Sequence, residues 1–317
     1  METHFSSIPG SITAFIAGLV ILISGGELLI SGAVKLARRW GMTSLLVGLT
    51  IIAFGTSAPE LFVSLSANLQ GEPDLMLGNV IGSNIANIGL ILAISALIRP
   101  IFSHHSYYIW ELSWVLGATI LLALFAWQGH FNRITGLVFM GGLVFFCWLS
   151  WRKGRTQPEQ EMDGPGTDPL LSSLLLCGAG LIGLSLGSDL FIKGAVDMAL
   201  YLEVPALIIG LTMAALGTSL PELASSISAI RRGHVDMILG NIIGSNIFNL
   251  LMVLGISGAV KPFTISPDVL GRDIPAMLAF PVFIMAALYF QLKISRWHGV
   301  LMLAGYIGYL LLLEGCS

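Results

Sequence analysis

Two heptapeptides, GTSAPEL at residues 55–61 and GTSLPEL at residues 217–223, decide the fold of this chain. Each places a glutamate (Glu60 or Glu222) and a proline (Pro59 or Pro221) inside a long apolar run. An ionised side chain near the centre of a bilayer costs about 2.5–3.5 kcal/mol, and a proline removes a helical hydrogen bond. Because the sequence carries this unfavourable pair of residues twice, we predict that the glutamates and prolines serve a function.

The composition is that of a membrane protein. The chain has 317 residues, of which 55% are hydrophobic and 10% charged, and its mean hydropathy is +0.87. Apolar stretches of roughly 20 residues, long enough to cross a bilayer as helices, recur from end to end. They predict ten spans, centred near residues 22, 55, 87, 117, 141, 183, 218, 248, 280 and 304.

The sequence contains an internal repeat. Residues 47–95 align with residues 209–257 without a gap, and 27 of the 49 positions are identical. Five spans separate equivalent points, and an odd number forces the second copy to enter the membrane from the opposite side. We therefore predict an all-α membrane protein of ten transmembrane helices, arranged as two inverted five-helix repeats. The predicted units are residues 1–151 and 169–317, joined by a cytoplasmic linker at 152–168.

Charge sets the expected orientation and partners. With the N-terminus outside, eleven of the fifteen Lys and Arg residues lie inside, as the positive-inside rule requires. Both termini are then extracytoplasmic. The net charge of −3 and the absence of a long basic run indicate the lipid bilayer as a partner and exclude nucleic acid. No protein partner is implied. Cys147, Cys177 and Cys316 are far apart and are predicted to be small hydrophobic residues.

The two heptapeptides combine the oxygen ligands that hard cations require. Pro59 must kink or break its helix, which would free main-chain carbonyls near Ala53 and Thr56. A carbonyl, a hydroxyl and a carboxylate at membrane depth suit calcium or sodium. The second copy repeats the set with Ala215, Thr218, Ser219 and Glu222.

Structural roles compete with this interpretation. Ser57 and Glu60 also have the spacing of a capping box, in which each side chain satisfies the other residue's main-chain N–H. The pairs Gly78/Gly82 and Gly240/Gly244 are typical of close helix packing.

Other polar residues recur in the repeat. Ser83 and Asn87 stand four apart on one helical face, as do Ser245 and Asn249, and could bond between helices or form the walls of one site. Glu27 and Asp189 are repeat equivalents that could pair with Lys35 and Lys193 or line a passage. The pattern gives Glu111 no role.

The motifs GTSAPEL with GSNIAN, and GTSLPEL with GSNIFN, resemble the two α-repeats of the cation/calcium exchangers, and most closely the prokaryotic sodium/calcium exchanger-like antiporters. The resemblance implies calcium/sodium antiport in a bacterial inner membrane, with no cofactor. It implies that Glu60 and Glu222 are central ligands and that spans one and six form a sliding gate. The further implied ligands are the main chains of Thr56, Thr218, Ala53 and Ala215 and the side chains of Ser57, Ser219, Ser83, Ser245, Asn87 and Asn249.

Other functions remain open at this point. Several relatives have aspartate where this chain has Asn249, so only two carboxylates remain for the site. An antiporter of calcium, or of another divalent cation, that is coupled to protons is the first alternative, although no histidine lies in mid-span. An intramembrane hydrolase using Ser57 or Ser219 would need an activating base nearby. A gated channel fits the composition, but alternating access suits the repeat better.

Overall fold

The computed structural model describes residues 4–5, 7–102, 106–154, 168–202, 217–291 and 293–314. Helices dominate these residues, and four two-residue strands lie between them. The helices are α1 Ile8–Trp40, α2 Ser44–Thr56, α3 Ala58–Gln70, α4 Pro73–Ile98, α5 Ser106–Trp127, α6 Arg133–Gly154, α7 Leu170–Tyr201, α8 Leu220–Arg231, α9 Val235–Val260, α10 Val269–Gln291 and α11 Arg296–Glu314.

The helices confirm a multi-pass membrane protein. Eight of those described are long and apolar enough to cross a membrane, and counting the bent pair α2 and α3 as one span gives nine. The predicted seventh span includes residues 203–216, which lie outside the described residues, and continues as α8. The predicted linker at 152–168 also falls largely outside them.

Helices α1 and α7 are antiparallel and in close contact. A Cβ atom at Gly18 would lie 2.3 Å from the main-chain nitrogen of Phe191, and one at Gly32 would lie 2.7 Å from that of Cys177. Such a close approach requires small residues at the contact, and they recur at every seventh position along both helices. This seam consists of Ser11, Gly18, Gly25 and Gly32 on α1 and Ser173, Gly180, Gly187 and Gly194 on α7. The two helices are equivalent in the repeat, so their antiparallel packing is the geometry that inverted halves produce.

Two short ladders also join the halves. Strand β1 (Ile101–Phe102) pairs with β4 (Lys293–Ile294), and β2 (His130–Phe131) pairs with β3 (Phe263–Thr264), both antiparallel. The repeat places β1 over β3 and β2 over β4, so each ladder is the repeat equivalent of the other.

The predicted glycine packing holds for one of the two pairs. Added Cβ atoms would lie 2.5 Å from the carbonyl oxygen of Leu45 at Gly240 and 2.8 Å from that of Leu49 at Gly244, so α9 packs directly on α2. Apart from the helix's own backbone, no atom of the described residues lies within 4 Å of a Cβ added at Gly78 or Gly82. These glycines line a cavity instead.

The repeat-equivalent acidic residues Glu27 and Asp189 pair differently in the two halves. Asp189 bonds to Lys193 at 2.8 Å and also lines a cavity, so both alternatives hold for it. The predicted partner of Glu27, Lys35, bonds instead to Asp168 at 3.0 Å. Glu27 bonds to Arg232 at 2.8 Å. Helix α1 packs against α8, which places the Glu27 side chain next to Arg232 at the C-terminal end of α8.

The structure shows the surroundings of Glu111 and of two of the three cysteines. Glu111 is buried and bonds to Lys153 at 3.2 Å, and the Lys153 ammonium also lies 4.4 Å from the centre of the Trp110 ring. Cys177 is buried as predicted and Cys147 is half-buried. Cys316 lies outside the described residues.

Candidate functional site

The first heptapeptide lies at a break between two helices. Helices α2 and α3 meet at 42°, and Pro59 lies in the first turn of α3, where a missing N–H costs little. The predicted kink is therefore confirmed. The carbonyl of Ala53 is not left free, because it accepts a hydrogen bond from the Ser57 N–H at 2.9 Å. A carbonyl oxygen has a second lone pair, which still suits a cation.

The capping box does not form. Ser57 precedes α3 and Ser219 precedes α8, but neither side chain makes a capping hydrogen bond. The backbone of Ser57, with φ −82° and ψ 0°, lacks the extended conformation of a usual N-cap. Both serine hydroxyls are buried without a hydrogen-bond partner among the described residues, so they remain able to bind a ligand.

Both glutamates are buried inside the protein. Glu60 and Glu222 are both 0% exposed, and their carboxylates are close enough to repel one another. All four carboxylate oxygens lack a partner in hydrogen-bond geometry within the described residues. Burying an unpaired ionised carboxylate carries a large desolvation cost, so the arrangement favours a cation between them.

Hydroxyl groups from both halves surround the carboxylates. The Thr56 hydroxyl lies 3.3 Å from Asn241 Oδ1 and 3.3 Å from Ser245 Oγ. Thr56 and Ser245 also lie beside the Glu222 carboxylate, outside hydrogen-bond geometry. The halves therefore meet at the site, since Thr56 belongs to the first repeat and Asn241, Ser245 and Glu222 belong to the second.

The same arrangement recurs around the second threonine. The Thr218 hydroxyl lies 3.2 Å from Asn79 Oδ1 and 3.2 Å from Ser83 Oγ. The repeat aligns Thr56 with Thr218 and Asn79 with Asn241, so these contacts mirror those of the first threonine.

Four buried amides extend the polar region. Asn87 and Asn249 each begin a π-helical turn, at equivalent points of α4 and α9, and such turns are frequent at functional sites. Asn87 donates from Nδ2 to Asn246 Oδ1 at 2.9 Å. Neither polar side-chain atom of Asn249 has a partner among the described residues. The Oδ1 of Asn84, which is the repeat equivalent of Asn246, is likewise buried and unpartnered.

Of the predicted residues, Thr56, Thr218, Ser83, Ser245 and Asn87 make hydrogen bonds between the repeats. Glu60, Glu222, Ser57, Ser219, Asn249 and Ala53 are buried, and Ala215 lies outside the described residues. Sequence reasoning overlooked Asn79, Asn241 and Asn246. The signal was available, because all three are identical to their repeat equivalents. The GxxxG spacing drew attention to the glycines beside Asn79 and Asn241 and away from the amides themselves.

A cavity of about 530 Å³ reaches the site from one end of the molecule. Asn79, Thr218 and Pro59 line it, and so does Asp74, at the start of α4. The cavity gives an ion a path to Thr218, whereas Thr56 and Asn241 are buried.

The fold and site define an integral membrane protein of packed helices that encloses oxygen ligands suited to a cation. Comparison with known sequences extends this assignment. Residues 10–152 and 172–313 match the sequence model of the sodium/calcium exchanger protein family. The chain is 38% identical to a putative antiporter, CaxA, of Alkalimonas amylolytica, over 94% of this chain and 97% of that protein. It is 34% identical to the inner membrane protein YrbG of Escherichia coli, over 95% and 96% of the two chains.

A solved structure agrees in fold. The sodium-calcium exchanger NCX_Mj, soaked with Na⁺ and Sr²⁺, superposes with a TM-score of 0.81 at 32% identity, covering 95% of this chain and 97% of that one. The chain belongs to the sodium/calcium exchanger family. It is a cation/calcium antiporter and not an enzyme, so the hydrolase hypothesis for Ser57 or Ser219 is wrong.

Proposed function

We propose that this protein exchanges Ca²⁺ for Na⁺ by alternating access, with the ions held between Glu60 and Glu222. The observation that carries the proposal is the pair of fully buried carboxylates whose four oxygens have no hydrogen-bond partner in the described chain. One calcium ion neutralises both charges, and so do two sodium ions. The two kinds of ion therefore compete for one site, which is the basis of exchange.

The remaining ligands in this proposal are hard oxygens. The predicted set is the side chains of Ser57, Ser219, Ser83, Ser245, Asn87 and Asn249 and the main chains of Thr56, Thr218, Ala53 and Ala215. Oxygen ligands suit calcium and sodium rather than zinc or copper. The Thr56 and Thr218 hydroxyls, which lie among the same residues, add two more oxygens.

The proposed architecture has ten spans in two inverted halves, 1–151 and 169–317, with a cytoplasmic linker at 152–168. Both termini are extracytoplasmic, and the membrane is the inner membrane of a bacterium. The antiparallel contact of α1 with α7 supports this arrangement. The sliding gate is assigned to these two helices, whose backbones touch along the glycine seam and whose Phe15 and Phe191 rings meet across it with centroids 4.5 Å apart.

Reconstituted vesicles test the proposal. An imposed sodium gradient is expected to drive calcium uptake, whereas a pH gradient in the absence of sodium is not. If three sodium ions enter per calcium, one net charge moves per cycle, so a membrane potential contributes about 2.3 kcal/mol per 100 mV. Calcium uptake that follows the pH gradient and ignores sodium would favour the proton-coupled alternative.

Charge-neutralising variants test the site. Glu60→Gln and Glu222→Gln are expected to abolish uptake, because a single remaining carboxylate cannot neutralise calcium. Glu111→Gln is the matched control: this carboxylate is also buried in a helix, but it bonds to Lys153 and lies outside the site. Undiminished exchange in either site variant would refute the assignment of these glutamates.

A further inference from the structure

Two asparagines outside the predicted ligand set connect the halves at the site. Asn79 Oδ1 accepts from the Thr218 hydroxyl at 3.2 Å, and its Nδ2 donates to Ser64 Oγ at 2.9 Å and to the main-chain oxygen of Glu60 at 3.4 Å. One side chain therefore links the helix that carries Glu60 to the threonine of the opposite half.

The orientation of the Asn79 amide follows from its partners. The main-chain oxygen of Glu60 can only accept a hydrogen bond, so the amide atom facing it is Nδ2, and Oδ1 faces Thr218. Thr218 must then donate its single hydroxyl proton to Asn79. The Ser83 hydroxyl is also committed, because it donates to the main-chain oxygen of Asn79 at 2.7 Å.

Both protons therefore point away from the gap between Thr218 and Ser83. The two hydroxyl oxygens, 3.2 Å apart, face each other with lone pairs alone. Such an arrangement is repulsive by itself, and a cation bound beside the two oxygens would relieve the repulsion.

Asn241, the repeat equivalent of Asn79, makes the corresponding contact with Thr56. Ser225 donates its hydroxyl proton to the main-chain oxygen of Glu222 at 3.0 Å and accepts from Asn241 Nδ2 at 3.1 Å. Asn241 Oδ1 therefore faces Thr56, whose hydroxyl donates either to it at 3.3 Å or to the Ala53 carbonyl at 3.5 Å. Ser245 Oγ also lies 3.3 Å from this hydroxyl. A Thr56 proton held by Asn241 leaves the lone pairs of the hydroxyl for a cation.

The geometry points to Asn79 and Asn241 as positioning residues that set ion affinity by turning the Thr218 and Thr56 hydroxyl oxygens, lone pairs outward, toward the cation. Asn79 also links Thr218 to the helix that carries Glu60, and Asn241 links Thr56 to the helix that carries Glu222. Because each link joins opposite halves, an ion bound to one half also affects the other. This inference rests on the proposed binding of calcium between Glu60 and Glu222.

Alanine variants of the two asparagines test the inference. Asn79→Ala and Asn241→Ala are each expected to raise the KM for calcium uptake by about 10–100-fold, the usual effect of removing a group that orients a metal ligand. The rise in Tm that calcium produces in the purified protein should shrink in parallel. The maximal rate should change less than the KM, because the carboxylates that bind the ion remain.

Asn68 provides a matched control. It is a buried amide that also joins the halves, donating to the carbonyls of Ser257 at 2.9 Å and Lys261 at 2.7 Å, at the far end of α3 from Glu60. Asn68→Ala should lower the Tm of the ion-free protein and leave the KM for calcium unchanged. Asparagine variants that behave like Asn68→Ala would assign Asn79 and Asn241 a purely structural role and overturn the inference.

Two further variants keep the test decisive if an alanine variant does not fold. Ser64→Ala and Ser225→Ala retain the amides and remove only their anchors, so each should raise the KM by a smaller factor. An unchanged KM in both would overturn the inference. Combining Asn241→Ala with Thr56→Val should raise the KM no further than Thr56→Val alone, and additive effects would contradict the proposed route.

Measurements on the wild-type protein distinguish a failure of this inference from a failure of the proposed function. If calcium raises the Tm of the wild-type protein and of both asparagine variants equally, this inference fails and the proposed function stands. If calcium leaves the wild-type Tm unchanged and no uptake occurs, both fail together.

Discussion

The contact between α1 and α7 makes a sharp prediction about one glycine. A Cβ atom at Gly180 would lie 2.4 Å from the main-chain nitrogen of Leu29 and 2.7 Å from its Cα. Non-bonded carbon atoms prefer about 3.5–4.0 Å, so in Gly180→Ala the two helices must separate locally by roughly 1 Å. Overpacking of this kind costs about 1–3 kcal/mol. Alanine adds about 0.5–1 kcal/mol of helix stability, so the midpoints of the two ranges leave a net loss of about 1.25 kcal/mol.

Gly178, two residues away on the same helix, is the control. No atom of the described residues lies within 4 Å of a Cβ added there. Gly178→Ala should therefore leave stability unchanged or raise it by up to about 1 kcal/mol.

Thermal unfolding of the two purified variants in the same detergent measures the difference. At about 2–4 °C per kcal/mol, the scaling for domains of 150–250 residues predicts that Gly180→Ala lowers Tm by about 2.5–5 °C. Equal Tm values for the two variants would refute the claim that the helix backbones are in contact along this seam.

Three further outcomes are expected. Glu27 and Arg232 should show a coupling energy of only about 0.2–1 kcal/mol in a double-mutant cycle of unfolding, because both side chains are partly exposed; a value of several kcal/mol would contradict this. Burial, together with the charges of Arg232 and Arg38, lowers the pKa of His234 below its usual 6.5. The unfolded chain then binds the proton more readily, so stability should fall as pH drops through 6.5, and His234→Gln should weaken that dependence in pH-dependent unfolding. Asn249→Asp adds a third carboxylate to the site, and vesicle uptake should become more sensitive to acid than in the wild-type protein; an unchanged pH profile would place position 249 away from the ion.

The sequence predicted the parts of this protein that depend on local pattern and repetition. Runs of about 20 apolar residues predicted the membrane helices, since their length must match the bilayer. The repeat predicted that equivalent helices would run in opposite directions, as α1 and α7 do. Proline chemistry predicted the break at Ser57, and the energetic cost of Glu60 and Glu222 in an apolar run predicted the candidate site.

Only the tertiary structure decided which polar groups meet. Glu27 has Lys35 two turns away on its own helix, yet it bonds to Arg232, which is 205 residues distant in the chain. The contacts of Thr56 with Asn241 and of Thr218 with Asn79 likewise depend on how the two halves dock. Hydropathy and repeat spacing describe each half separately, whereas these hydrogen bonds form between halves. Partner choice is fixed by the packing of glycine-lined helices, which brings side chains within reach regardless of their separation in sequence.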